Sequence, residues 1–325
     1  MNITVLGAGA WGTALALAFS QRHTLTLWSF AAAEVEALQR DRENRQFLPG
    51  YPLPDAMRVD GDLASAVAGA DLAVIATPLA GLRSTVQALN ALQPNLPFLW
   101  VCKGLEAGTG LLPHQVVAEV SQAICGVLTG PSFADEVARG LPTAITLASS
   151  DSDFAARMAQ ALHGANLRIY ANDDVVGAEV GGAVKNVLAI ATGICDGLGL
   201  GANARAALMT RGLAEITRFG VALGARPETL TGLAGVGDLI LTCTGDLSRN
   251  RRVGLGLASG QTLEQVVTSL GHVAEGVPAA REVAGRAKQM GIEMPITQAV
   301  CAVLDGKLGA ADAVAQLMSR DPKAE

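Results

Sequence analysis

The opening of the chain constrains its fold more than any other stretch. Asn2 to Leu6 are mostly β-branched and apolar, as a buried parallel strand requires, and they run straight into Gly7-Ala8-Gly9-Ala10-Trp11-Gly12. A helix-like segment rich in Ala and Leu comes directly after. Three glycines at this spacing mean little alone; between a strand and a helix they acquire a physical reading. Gly7 permits the tight turn, Gly9 lets the backbone approach a pyrophosphate, and Gly12 lets the helix pack closely on the strand. The N–H groups at the helix start then face the phosphates.

Segments 24–28, 57–59, 71–77, 98–102, 124–129, 143–148 and 167–170 read as further strands, with helical patterns such as 79–92 between them. Such alternation predicts an α/β, Rossmann-like, doubly wound and mostly parallel sheet that binds ligands at the carboxyl ends of its strands. Lys103 and Ser132 fall at two such ends. At the end of the second strand an acidic residue would hold the ribose hydroxyls of NAD, and a basic one the 2′-phosphate of NADP. This chain offers Ser29 and Phe30 there, while Glu34 and Glu36 lie further on and read as the solvated face of a helix. The choice between the two cofactors stays open.

After about residue 175 the pattern changes to helices separated by glycine-rich turns, at 176–196, 203–224, 228–243, 247–258, 262–270, 275–290 and 297–319. The expected organisation is a dinucleotide-binding domain over 1–175 and an all-helical substrate-binding and catalytic domain over 176–325. No internal repeat or low-complexity linker is visible. With 325 residues, 50% hydrophobic and 17% charged, the chain can bury two cores and is too apolar for disorder. A net charge of -6 lacks the basic footprint of a general nucleic-acid binder or of an anionic-membrane binder.

Five widely spaced cysteines without a Cys-x-x-Cys pair point to a reducing compartment, hence the cytoplasm, and exclude a zinc ribbon. The N-terminus lacks the basic flank of a secretory signal, and no uninterrupted apolar run reaches membrane-spanning length, so no membrane insertion is expected. The four histidines fall outside the polar clusters of the helical half, which disfavours a His-centred or metal site.

The first of those clusters lies in the stretch 179–201, an apolar helix interrupted by Lys185 and Asn186. Desolvation tunes lysines into proton donors near neutral pH; the competing reading is an ammonium that reaches solvent at the helix edge. A second cluster is Gly235-Val236-Gly237-Asp238 and then Thr242, in which Asp238 reads equally well as a helix cap. A third, Ser248-Arg249-Asn250-Arg251-Arg252, lies near a predicted helix start and suits a phosphate or carboxylate, or simply a solvated basic face.

Together with KGLE at 103–106, GPSFADEVARGLPTA at 130–144, GGAVKNVLAI at 181–190, GLGLGANARAALMTRGLAE at 197–215, GLAGVGDLILTCTGDLSRNRR at 232–252 and AEGVPAAREV at 274–283, these blocks give a resemblance over nearly the whole chain. It resembles the bacterial type of NAD(P)-dependent glycerol-3-phosphate dehydrogenase. The resemblance implies reversible reduction of dihydroxyacetone phosphate to sn-glycerol 3-phosphate with NAD(P)(H), supplying phospholipid synthesis.

The resemblance also implies roles for particular residues. Lys185 matches the family's proton donor and acceptor, and Lys103 a lysine at substrate and cofactor. Gly130, Ser132, Asn186, Asp238, Ser248, Arg249 and Asn250 match substrate positions. Ala10, Trp11, Ala134, Val273 and Glu275 match cofactor positions, with Arg249 near both ligands. Phe30 stands where members commonly carry a basic residue, which leaves the cofactor preference open. Two other readings remain: a different hydroxy-acid or keto-acid dehydrogenase of the same architecture, and a non-catalytic dinucleotide sensor. Against the sensor stands the joint presence of Lys103, Lys185, Asp238 and Arg249. The apolar helices of the second half are as compatible with a homodimer as with an internal core.

Overall fold

A computed structural model describes residues 1–270 and 274–321. Strands β1 (Asn2–Leu6), β2 (Thr24–Trp28), β3 (Arg58–Asp60), β4 (Leu72–Ile75), β5 (Phe98–Trp100), β6 (Cys125–Thr129), β7 (Thr143–Ala148) and β8 (Leu167–Asn172) form one sheet in the order β3-β2-β1-β4-β5-β6-β7-β8. Ile3, Val5 and Leu6 of β1 are fully buried, and Thr4 joins them by donating its hydroxyl to the Ala66 carbonyl at 2.7 Å. Val5 faces Leu27 of β2 and Val74 of β4, so strand order reverses on either side of β1 and opens the crevice where such sheets bind ligands. Pairing is parallel except between β6 and β7, where Thr129 meets Thr146 antiparallel. The carboxyl ends of β1 to β6 therefore share one edge of the sheet.

Helices α1 (Ala10–Ser20), α2 (Ala32–Asp41), α3 (Leu63–Val67), α4 (Leu82–Leu92), α5 (Pro113–Ala118), α6 (Ala134–Ala138) and α7 (Ser152–Leu162) accompany the strands. Leu15 and Phe19 of α1 and Phe154 and Leu162 of α7 join the sheet's Ile3, Leu25, Leu99 and Leu147 in one core. By its contacts the chain forms two compact units. One comprises Met1–Lys103 and Leu111–Ala178; the other comprises Gly104–Gly110 and the chain from Glu179 onward.

The second unit is helical: α8 (Val175–Gly197), which begins in the first unit, then α9 (Gly201–Ala222), α10 (Pro227–Leu230), α11 (Asp238–Thr244), α12 (Arg249–Ala258), α13 (Leu263–Leu270), α14 (Gly276–Gln289), α15 (Pro295–Leu304) and α16 (Ala310–Met318). Asp174 starts α8 by accepting the Gly177 N–H at 2.8 Å. By length and composition α8 matches a membrane-crossing helix, with Glu179 and Lys185 in it, yet 89% of its apolar window is buried inside the protein.

Two helices that periodicity predicts as single are broken. Over 228–243 the chain makes α10, then a wide turn in which the Gly237 N–H donates to Gly232 O at 3.0 Å, and then α11. Over 297–319 it makes α15 and α16, parted at Gly306, whose φ of 68° no helix interior accepts.

Glu215 of α9 is buried and accepts hydrogen bonds from Ile296 N (2.6 Å), Thr297 N (3.1 Å) and Thr297 Oγ1 (3.0 Å), thereby capping α15. Burial raises its carboxyl above the ordinary 4.5, and the accepted hydrogen bonds offset this only in part. The folded chain holds that proton to higher pH than the unfolded chain does, so this contribution to stability is lost as pH rises through the raised value. Relative to Glu215→Gln, the wild-type Tm is expected to lose ground as pH climbs from 4.5 toward neutrality; Tm curves that stay parallel across that range contradict the assignment.

Candidate active site

In the first unit, the turn after β1 is shaped by its three glycines. Gly7 has φ 121°, and a Cβ there would lie 2.8 Å from the Ala76 carbonyl carbon and oxygen. A Cβ on Gly12 would lie 2.0 Å from the Gly7 carbonyl oxygen. Gly9 differs: a Cβ there would meet nothing within 4 Å, so the absent side chain leaves an open cradle over the turn. Gly9 also precedes α1 without any side-chain cap, which leaves the first N–H groups of α1 without intrahelical partners. Ala10 and Trp11 stand half-buried in that first turn.

Asn44, which the sequence pattern does not single out, locks this turn from the loop after α2. It is 2% exposed, and its side-chain amide donates to Ala8 O (2.6 Å) and Thr13 Oγ1 (2.8 Å). Its oxygen accepts the Phe47 N–H at 3.1 Å.

Other predicted positions line the same edge of the sheet. Phe30 lies after β2, Lys103 after β5, and Gly130 and Ser132 after β6, with the Ser132 hydroxyl donating to Gly130 O at 3.0 Å. Ala134 opens α6. Two buried hydroxyl oxygens that have no hydrogen-bond partner among the described residues, Thr77 Oγ1 and Thr129 Oγ1, also stand at strand ends on this edge. The open cradle, the uncapped helix start and these hydroxyls fit a phosphate-bearing dinucleotide.

In the second unit, Lys185 is 7% exposed and does not reach solvent as a snorkelling lysine would. Its ammonium donates to Asp238 Oδ1 and to Thr242 Oγ1, the latter at 2.9 Å. Thr242 in turn donates to the backbone oxygen of Asp238 at 2.6 Å, so its hydroxyl proton is committed and a lone pair faces the lysine. Asp238, 1% exposed, is thus an ion-pair partner, and Ser248 rather than Asp238 is the capping side chain here, accepting from Arg251 N at 3.2 Å.

The wide turn before α11 matters for this pairing. One extra residue in a helical turn rotates the downstream residues by about 100° and so decides which face of α11 carries Asp238 and Thr242. Close backbone approach seats the helices together: a Cβ on Gly193 of α8 would lie 2.1 Å from Arg251 O, and one on Gly254 of α12 2.1 Å from Ile190 O.

Asn186, beside Lys185, accepts from the Asn250 side-chain amide at 3.0 Å, and Asn250 accepts the Gly276 N–H at 2.9 Å. That chain of bonds fixes the start of α14 and hence Glu275, its half-buried cap residue. Val273 lies outside the described residues.

The three arginines of the basic cluster separate by their partners. Arg251 is bound to Asp196 (2.8 Å) and Asp246 (3.0 Å), and Arg252 donates to Asp246 O at 2.9 Å. Arg249 is exposed, and among the described residues it has no such partner, so its guanidinium is open to an anion. Cys243 offers no nucleophile near Lys185, because burial pushes its thiol up to about 12. Among the described residues no group of three or more His, Cys, Asp or Glu is arranged to hold a metal ion.

Comparison with known proteins bears on what this arrangement serves. Residues 2–155 match the NAD-dependent glycerol-3-phosphate dehydrogenase N-terminus family, and 174–315 the corresponding C-terminus family. A relative from Dechloromonas aromatica (strain RCB), glycerol-3-phosphate dehydrogenase [NAD(P)+], is 66% identical over 100% of this chain and 99% of its own. The protein of that name from Aromatoleum aromaticum is 61% identical over the full length of both. Among solved structures, glycerol-3-phosphate dehydrogenase from Coxiella burnetii superposes with a TM-score of 0.94 at 42% identity, covering 98% of this chain and 99% of that one.

Proposed function

The chain belongs to the NAD-dependent glycerol-3-phosphate dehydrogenase family, and we infer that it interconverts dihydroxyacetone phosphate and sn-glycerol 3-phosphate with NAD(P)(H) as the hydride carrier. The observation that carries the residue-level reading is the buried lysine pinned between a carboxylate and a hydroxyl.

Reduction of the ketone places a hydride on C2 and a proton on its oxygen; the bound reduced nicotinamide supplies the hydride. Lys185 supplies the proton. Its ammonium polarises the carbonyl and then donates to the developing alkoxide; in the reverse direction the neutral amine takes the alcohol proton. Asp238 stabilises the ammonium and Thr242 fixes its direction. Asn186, next to Lys185 in sequence, is held by the Asn250 amide, and Ser248 holds the start of α12; in this reading all three contact substrate.

Arg249 anchors the phosphate, so that binding energy remote from C2 serves to position it. Lys103, Gly130 and Ser132 contact substrate in this reading, with Lys103 also touching the cofactor. Gly7, Gly9, Ala10, Trp11 and Gly12 hold the pyrophosphate; Phe30, Ala134, Arg249, Val273 and Glu275 complete the cofactor contacts. In this reading residues 1–175 supply the pyrophosphate turn and part of the substrate contacts, and 176–325 supply the proton chemistry, the phosphate anchor and the remaining cofactor contacts. The five unbridged cysteines support a cytoplasmic setting, where the product feeds phospholipid synthesis.

Arg249→Ala tests the phosphate anchor. The variant is expected to lose roughly 100-fold in kcat/KM for dihydroxyacetone phosphate, mostly through KM, as removal of one charged partner does. Any use of unphosphorylated dihydroxyacetone is expected to fall far less, by only the share that the cofactor contact of Arg249 contributes. Equal losses on both substrates contradict the assignment.

A further inference from the structure

β2 ends at Trp28, and Ser29 comes next at 2% exposure. The Ser29 N–H donates to Asp60 O at 3.3 Å, and its hydroxyl donates to the carboxylate of Glu34 in the first turn of α2. Glu34 is therefore folded back, half-buried, onto the end of β2, whereas Glu36 is exposed. The helix dipole favours a carboxylate in that first turn, so Glu34 also answers the positive helix end that would otherwise draw a phosphate.

Among the described residues, the cations that flank this position in sequence and on β3 are paired. The sequence holds no Lys or Arg between Trp28 and Arg40. Arg40 pairs with Asp41 at 2.8 Å. Arg58, on the neighbouring β3, is bound to the Asp60 carboxylate and the Ser65 hydroxyl. Phe30 is 83% exposed and offers an aromatic face without charge.

We propose that the Ser29–Glu34 pair selects the cofactor, making this chain prefer NAD(H) over NADP(H). The proposal rests on the reading that the Gly7–Gly12 turn holds a nicotinamide dinucleotide. In such folds the residues after the second strand meet the adenine ribose. The Glu34 carboxylate there accepts hydrogen bonds from ribose hydroxyls and repels a 2′-phosphate. Ser29 commits its one hydroxyl proton to Glu34 and so orients the carboxylate as an acceptor.

Equilibrium binding of NADH and NADPH to the purified full chain, monitored by nucleotide fluorescence, tests this without recourse to turnover. Wild type is expected to bind NADH at least about tenfold more tightly than NADPH, since like-charge contacts discriminate strongly. Glu34→Gln is expected to narrow that ratio by improving the Kd for NADPH, and Phe30→Arg to move it the same way. Wild-type binding of NADPH as tight as that of NADH, or a ratio unmoved in Glu34→Gln, overturns the proposal and leaves the dinucleotide reading intact. Failure of both nucleotides to bind wild type overturns that reading and the proposal with it.

Discussion

Lys185→Ala is expected to lower turnover of dihydroxyacetone phosphate by roughly 100- to 10,000-fold, the usual contribution of a positioned general acid. Dinucleotide binding is expected to stay near the wild-type level, because the glycine turn, its Asn44 clamp and α1 all belong to the first unit. Removing the lysine also leaves Asp238 buried without its ammonium, so stability falls as well. Lys185→Arg separates the two effects. Its guanidinium keeps a cation beside Asp238 but does not release a proton in the physiological range, so this variant is expected to fold and still turn over poorly. A far-UV circular dichroism spectrum matching wild type and a cooperative unfolding transition show in each case that the helical second unit, which carries Lys185, is folded.

Asp238→Ala is expected to cost about 3–5 kcal/mol of stability, since it strands a buried ammonium without its counter-charge. It is also expected to lower kcat strongly, as Lys185 then lacks the group that holds it in place. Combining it with Lys185→Met distinguishes the two losses. The double variant has no uncompensated charge left and is expected to recover most of the stability while recovering none of the activity. Unfolding in denaturant measures the first and steady-state kinetics the second. Additive stability losses in the double variant contradict the pairing.

The strands are legible in this sequence because they are short, apolar and bounded by turn residues; β1, β2 and β7 begin and end where the pattern places them. Helix continuity is less legible. Leu, Val and Ile recur at helical spacing across both α10–α11 and α15–α16, and only the glycines between them record the breaks. The reversal at β7 leaves no local trace, because an antiparallel strand in a buried sheet carries the same apolar residues as a parallel one.

Within the site, legibility tracks sequence distance. Asp238 and Thr242 lie four apart on a helix, so their shared face is readable. That Arg251 is committed and Arg249 is not depends on Asp196, 55 positions away, which no local pattern reveals. Asn44 clamps groups 31 and 36 residues distant from within a polar loop, where an asparagine draws no notice. Glu34 reads as part of a solvated helix face until the Ser29 hydroxyl is seen to turn it inward.

Delivery of the proton from the Lys185 ammonium to the substrate oxygen is the central step of the proposed mechanism. Chemical rescue tests it most directly: Lys185→Ala, assayed with dihydroxyacetone phosphate and reduced nicotinamide cofactor, titrated with small alkylammonium ions. The mechanism predicts a turnover that starts far below wild type and rises with alkylammonium concentration, with no such rise in the wild-type enzyme; near-normal turnover in Lys185→Ala without any added amine contradicts it.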